Sequence, residues 1–134
     1  MLLPKGTTIA VADGTKLHLY ENSGDEANPS LKALAEPSIS GDNKGSGGRH
    51  HSSSANPDDS RLEEDSYAAA SAAWLNQQVL SGKIDQLVVI AAPKTLGELR
   101  KHFHKKLEEK LLGELSKDLT DHSISEITTA LGKA

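Results

Sequence analysis

Residues Gly41 to Pro57, GDNKGSGGRHHSSSANP, hold most of the side chains whose types and spacing suggest chemistry. Gly45, Gly47 and Gly48 allow positive φ and close backbone approach, so successive N–H groups there can form an anion nest. Lys44 and Arg49 would be its counter-charges, with His50 beside them. Only Ala55 and Pro57 are apolar, so the segment cannot bury itself. Ser52, Ser53 and Ser54 follow the two histidines, but without a G-x-S-x-G elbow they read as loop solvation and not as nucleophiles.

A second concentration of charge runs from Lys94 to Lys106, with five basic residues against Glu98 alone. On one continuous helix, Arg100 and His104 are i, i+4 neighbours, as are Lys101 and Lys105. With Lys94 at the helix start they are candidate phosphate contacts. Metal chemistry has less support. His50-His51, His102-x-His104 and His122 supply imidazoles, but there is no H-E-x-x-H, and His102 and His104 point to different helix faces. A two-metal nuclease needs converging carboxylates. Asp13, Glu63, Glu64 and Asp65 are present, yet the strand where a further ligand belongs ends Ala91-Ala92-Pro93. No catalytic residue, metal ligand or cofactor is assigned.

These side chains need a frame. The 134 residues are 36% hydrophobic, enough for an aliphatic core in a single domain, 1–134, without metal or disulfide staples. The net charge of −4 argues against general nucleic-acid coating, and the absence of cysteine excludes disulfides and thiolate chemistry. The longest apolar run, Leu87 to Pro93, is far too short to cross a membrane. Met1 to Pro4 lack an apolar signal region, so a cytoplasmic location without membrane insertion is expected.

Thr7–Ala12 and Thr15–Tyr20 alternate around Asp13-Gly14, which predicts a hairpin with a type I′ turn. Leu31–Ile39 reads as a third strand, at an edge because of Pro37. Ser60-x-x-Glu63 predicts the start of a helix anchored by Ala68, Ala72, Leu75 and Val79 and stopped by Gly82. QLVVIAA, Gln86–Ala92, reads as a central strand buried on both faces. Thr95-x-x-Glu98 predicts a second capping box. Leu96, Leu99, Phe103, Leu107 and Leu111 then form one helical stripe, ended by Gly113. A strand over Glu114–Leu119 and a helix opened by Ser123-x-x-Glu126 complete the chain. The order β-β-β-α-β-α-β-α predicts an α/β fold with a five-stranded mixed sheet in a ribonuclease H-like layout. The Gly/Ser-rich loop at 41–57 lies inside that unit, so it is no interdomain linker.

The stretches LLPKGTTIAVADGTKLHLYEN, NKGSGGRHHSSSANPDDSRLEEDSYAAA, VVIAAPKTLGELRKHFH and KDLTDHSISEI together resemble the bacterial host-attachment protein family, from Leu2 to about Leu131. That family is similar to the middle domain of archaeal and eukaryotic peptide-chain release factors, whose Gly-Gly-Gln loop precedes a long helix and enters the peptidyl-transferase centre. Gly47-Gly48 stand at the corresponding place, and Arg49 stands where the glutamine would be. The resemblance therefore implies a ribosome or tRNA partner without ordinary peptidyl-tRNA hydrolysis. Two alternatives remain open: an intracellular attachment factor acting through a protein partner, and a weak phosphoester or ester hydrolase using the glycines and histidines of the loop.

Overall fold

A computed structural model describes residues 1–39 and 57–134, so the Gly/Ser-rich segment lies, apart from Pro57, outside the described residues. The strands are β1 (Thr8–Ala12), β2 (Leu17–Asn22), β3 (Leu31–Ala33), β4 (Leu87–Ala91) and β5 (Leu111–Ser116). The helices are α1 (Pro57–Leu80), α2 (Pro93–Arg100), α3 (Lys105–Lys110) and α4 (Ile124–Lys133). One mixed sheet has the order β3-β2-β1-β4-β5. β1 pairs antiparallel with β2 and parallel with β4, and β4 pairs parallel with β5.

The two strands at the centre, TIAVA and LVVIA, are buried along their whole length because helices cover both faces of the sheet. Ala10, Ala12, Leu17, Leu19, Leu87 and Val89 face α1, α2 and α3, contributed there by Ala68, Ala72, Leu75, Leu96, Leu99 and Leu107. Ile9, Val11, Val88 and Ile90 face Ile127 and Leu131 of α4. The alternation read from the sequence thus places Ile9 and Val11 opposite Leu17 and Leu19, as expected.

Several boundaries depart from the sequence reading. The third strand is three residues long, not nine. It does occupy an edge, and Leu34 N–H still donates to Leu19 O at 2.9 Å. α1 already begins at Pro57, a residue suited to the first helical position, so Ser60 lies inside the helix and not at its cap. The α1 stop is as expected. Gly82 adopts φ 81°, its N–H donates to Val79 O, and Lys83 N–H donates to Gln78 O, which is a Schellman termination.

The largest difference concerns the stripe Leu96 to Leu111. It does not form one helix. α2 ends at Arg100, α3 starts at Lys105, and Leu111 already belongs to β5, with Gly113 inside that strand. Thr95-x-x-Glu98 is no capping box either. The N-cap of α2 is Ala92, which makes no side-chain cap, and Pro93 follows it. The break is held from outside. Asn76 of α1 donates through Nδ2 to His102 O at 2.9 Å and accepts from His104 N–H at 2.8 Å. His104 then caps α3, its Nδ1 accepting from the Lys106 N–H at 2.9 Å. The stripe still packs where expected, because Leu96, Leu99 and Leu107 are buried on the same core. At the C-terminal end, Ser123 and Glu126 form the predicted capping box of α4.

Candidate functional site

The hairpin between β1 and β2 turns through four residues, Asp13 to Lys16, at the carboxyl ends of the parallel strands. Gly14 does not have positive φ, so the turn is not the type I′ expected. Asp13 supplies what the backbone geometry does not. Its Oδ1 accepts from the Thr15 and Lys16 N–H groups, each at 2.7 Å, as an aspartate at the first position of a turn commonly does. Its Oδ2 accepts from Thr120 Oγ1 at 2.8 Å, across 107 residues of sequence. Burial raises the Asp13 pKa, but the Thr15 amide, the Thr120 hydroxyl and the Lys16 amide outweigh it and hold it below the ordinary value.

Other groups gather around this turn. Thr120 Oγ1 lies 3.0 Å from Asp118 Oδ1, and a hydroxyl with one proton donates to Asp13 or Asp118 at any instant, not both. Lys16 Nζ meets Asp121 Oδ1 at 2.7 Å. Gly14 packs so closely on α1 that a Cβ there would stand 2.6 Å from the Glu64 Cγ. One turn further along α1, Tyr67 has its pKa raised by burial and by the carboxylates of Asp13 and Glu36, so its hydroxyl is a donor at neutral pH. Glu36 is bonded to His18 Nδ1. The Asp13 carboxylate already has protein donors on both oxygens, which makes it a structural anchor and a poor general base. Among the described residues no three His, Asp or Glu side chains gather where they could hold a metal.

The sequence-predicted phosphate contacts are distributed differently. Lys44, Gly47, Gly48, Arg49 and His50 lie outside the described residues. Because α2 and α3 are separate helices, the i, i+4 pairing of Arg100 with His104 and of Lys101 with Lys105 is lost. Lys94 opens α2 and Lys105 opens α3, both exposed, with no ion pair among the described residues. Arg100 directs Nε and Nη2 at Glu114 Oε1, at 3.0 and 2.5 Å. Lys101 pairs with Glu98 at 3.1 Å, and His102 stands 3.3 Å from the same carboxylate. Lys101 first, then His102, keeps the Glu98 pKa low. Each of these pairs joins an exposed basic group to a half-buried carboxylate, and pairs at the surface contribute little. A buried leucine such as Leu99 or Leu107 contributes about 1.5–3 kcal/mol, so apolar packing and not charge docks α2 and α3.

Sequence reasoning did not single out Thr120, Tyr67 or Asn76. Thr120 bonds to Asp13, and Tyr67 feels its charge, only through the tertiary fold, and no local spacing marks them.

The profile of bacterial archaeo-eukaryotic release factor family 12 matches residues 6–131, which includes the hairpin, the Gly47-Gly48-Arg49 segment, α1 to α3 and nearly all of α4. The chain belongs to this family. The match agrees with the resemblance read from the sequence. No curated protein matches the chain. In this release-factor-like chain the turn anchored by Asp13 packs against α1, the helix that follows the Gly-Gly segment in sequence. No described helix is long and apolar enough to cross a membrane.

Proposed function

We propose that this protein is a small RNA- or ribosome-associated binding module, with Lys44 to His51 as its probe and no peptidyl-tRNA hydrolase activity. The observation that carries the reading is membership of a release-factor family over residues 6–131, with arginine at position 49 after the two glycines. An arginine brings five N–H donors and a fixed charge, which suits phosphate recognition. It offers no carboxamide. The strand order β3-β2-β1-β4-β5 supports the ribonuclease H-like layout of such a domain. Lys94 and Lys105 are the phosphate contacts this reading favours. Arg100, Lys101 and His104 join them only by exchanging their present partners for phosphate.

The test is co-sedimentation with ribosomes across a salt series. Binding that falls with salt, and falls further in Arg49→Glu and Lys94→Glu, supports the module, each lost phosphate contact lowering the log–log salt slope by about 0.7–1. Salt-independent binding, or none at low salt, removes the reading. The host-attachment role implied by the sequence resemblance would then be the better account, tested by whether deleting the gene abolishes attachment while ribosome profiles stay unchanged.

A further inference from the structure

At the other end of the sheet a cavity of about 230 Å³ opens between β1, β2 and the C-terminal half of α1. Its walls include Trp74, Leu34 and Ile84, and its polar groups include Glu21, Gln78 and Lys83. The Schellman turn at Gly82 shapes one wall, folding Lys83 and Ile84 back so that the Ile84 N–H reaches Gln78 O at 3.2 Å. Trp74 is half-buried, packed against the core yet lining the cavity. Glu21 Oε1 also stands 3.9 Å from Lys32 Nζ on the neighbouring strand, an exposed pair that a ligand at the carboxylate would share or displace. Nothing in the proposed function uses these groups.

Their chemistry is selective. An accessible indole face is a stacking platform for an unpaired base. An ionised carboxylate accepts hydrogen bonds and donates none, while a lysine ammonium only donates. A planar ligand between them needs neighbouring N–H donors and a carbonyl acceptor. Guanine has this edge, with N1–H and N2–H side by side and O6 next to them. Adenine, cytosine and uracil each present one donor group at most against the carboxylate, so none of them can engage both of its oxygens. The size also decides. Pockets for whole drug-sized ligands run about 300–1,000 Å³, so this one takes a single ring system and leaves sugar and phosphate outside.

We propose that this cavity binds an unpaired guanine of an RNA strand, the base stacked on Trp74, its N–H edge on Glu21 and its O6 towards Lys83 or the Gln78 amide. The assignment rests on the RNA-binding reading but uses a different end of the molecule from the Arg49 segment.

Trp74 is the sole tryptophan, so its emission reports on this cavity. The intact protein is titrated with guanosine, adenosine, cytidine and uridine 5′-monophosphates, exciting beyond nucleotide absorption. Saturable quenching by the guanosine nucleotide is expected, about tenfold or more tighter than by the others, with a loss of about tenfold or more in Glu21→Gln. Gln78→Ala, on a partly exposed turn of α1, is the second variant should Glu21→Gln fail to fold. Equal quenching by all four nucleotides, or none, overturns the site. An unstructured oligonucleotide with one guanine should bind more tightly than the free nucleotide, and the reverse order overturns the strand as the ligand. Selective quenching without any ribosome binding by the wild type would sink the module reading and leave the pocket. Salt-dependent ribosome binding without quenching would do the opposite.

Discussion

The two ends of the sheet solve the same problem with different chemistry. At one end Asn22, fully buried, holds three chain segments through a neutral amide. Its Nδ2 donates to Leu3 O at 2.8 Å, and its Oδ1 accepts from the Ser30 and Gly24 N–H groups at 2.9 and 3.0 Å. At the other end Asp13, partly exposed, holds the hairpin turn and the loop before α4 through a carboxylate. A buried position tolerates the amide because every one of its polar atoms is matched and no charge must be desolvated. Near solvent a carboxylate costs less to place and gives stronger, charge-assisted bonds. The difference makes the Asn22 anchor indifferent to pH and the Asp13 anchor responsive to it.

The comparison is most severely tested by Asn22→Ala. This variant orphans one carbonyl and two N–H groups, and should cost about 2–4 kcal/mol in urea denaturation. A loss under half a kcal/mol would mean that water replaces the amide and that the end is not organised by it. Asp13→Asn comes next, with a loss of about 1 kcal/mol at neutral pH. The sign of its pH dependence follows from the lowered folded-state pKa. The stabilisation by Asp13 is present above the unfolded value, near 3.8, and disappears as pH falls through the still lower folded value. Wild type and Asp13→Asn should therefore converge in acid, and parallel stability curves down to the lowest pH would contradict the assignment. The smallest effect belongs to Lys16→Met, which removes an exposed ion pair with Asp121 and should leave the urea midpoint nearly unchanged. A larger change would show that the latch between turn and loop depends on that pair and not on Asp13.

The strands and their gathering into one mixed sheet could be read from the chain because alternation, Asp13-Gly14 and the apolar run Leu87–Ala91 are local signals of tertiary position. The Gly82 stop and the Ser123 cap were readable for the same reason, since each depends on residues within a turn of itself. The break between α2 and α3 was not. Leu96, Leu99, Phe103, Leu107 and Leu111 satisfy a helical period, and Lys101-His102-Phe103-His104 contains no glycine, proline or asparagine to announce a turn. The hydrogen bonds that hold the turn come from Asn76, which lies 26 and 28 residues earlier. The candidate site was readable in part. Asp13 was assigned to its turn, but Thr120 on the other side of its carboxylate belongs to a loop that meets the hairpin only in the folded chain.

β5 forms one border of the sheet, and its register with β4 slips between Leu87 and Val88, which pair with Leu111 and Gly113. Leu112 is the extra residue, and it is one of the exposed large apolar side chains. A straight border with that side chain would be a ready template for a further strand from a neighbouring copy. The slip bends the row of hydrogen-bonding groups out of line at the one place where the strand is stickiest. An irregularity that weakens the sheet locally thereby acts as a guard against fibre-like stacking when many copies of the chain are crowded together.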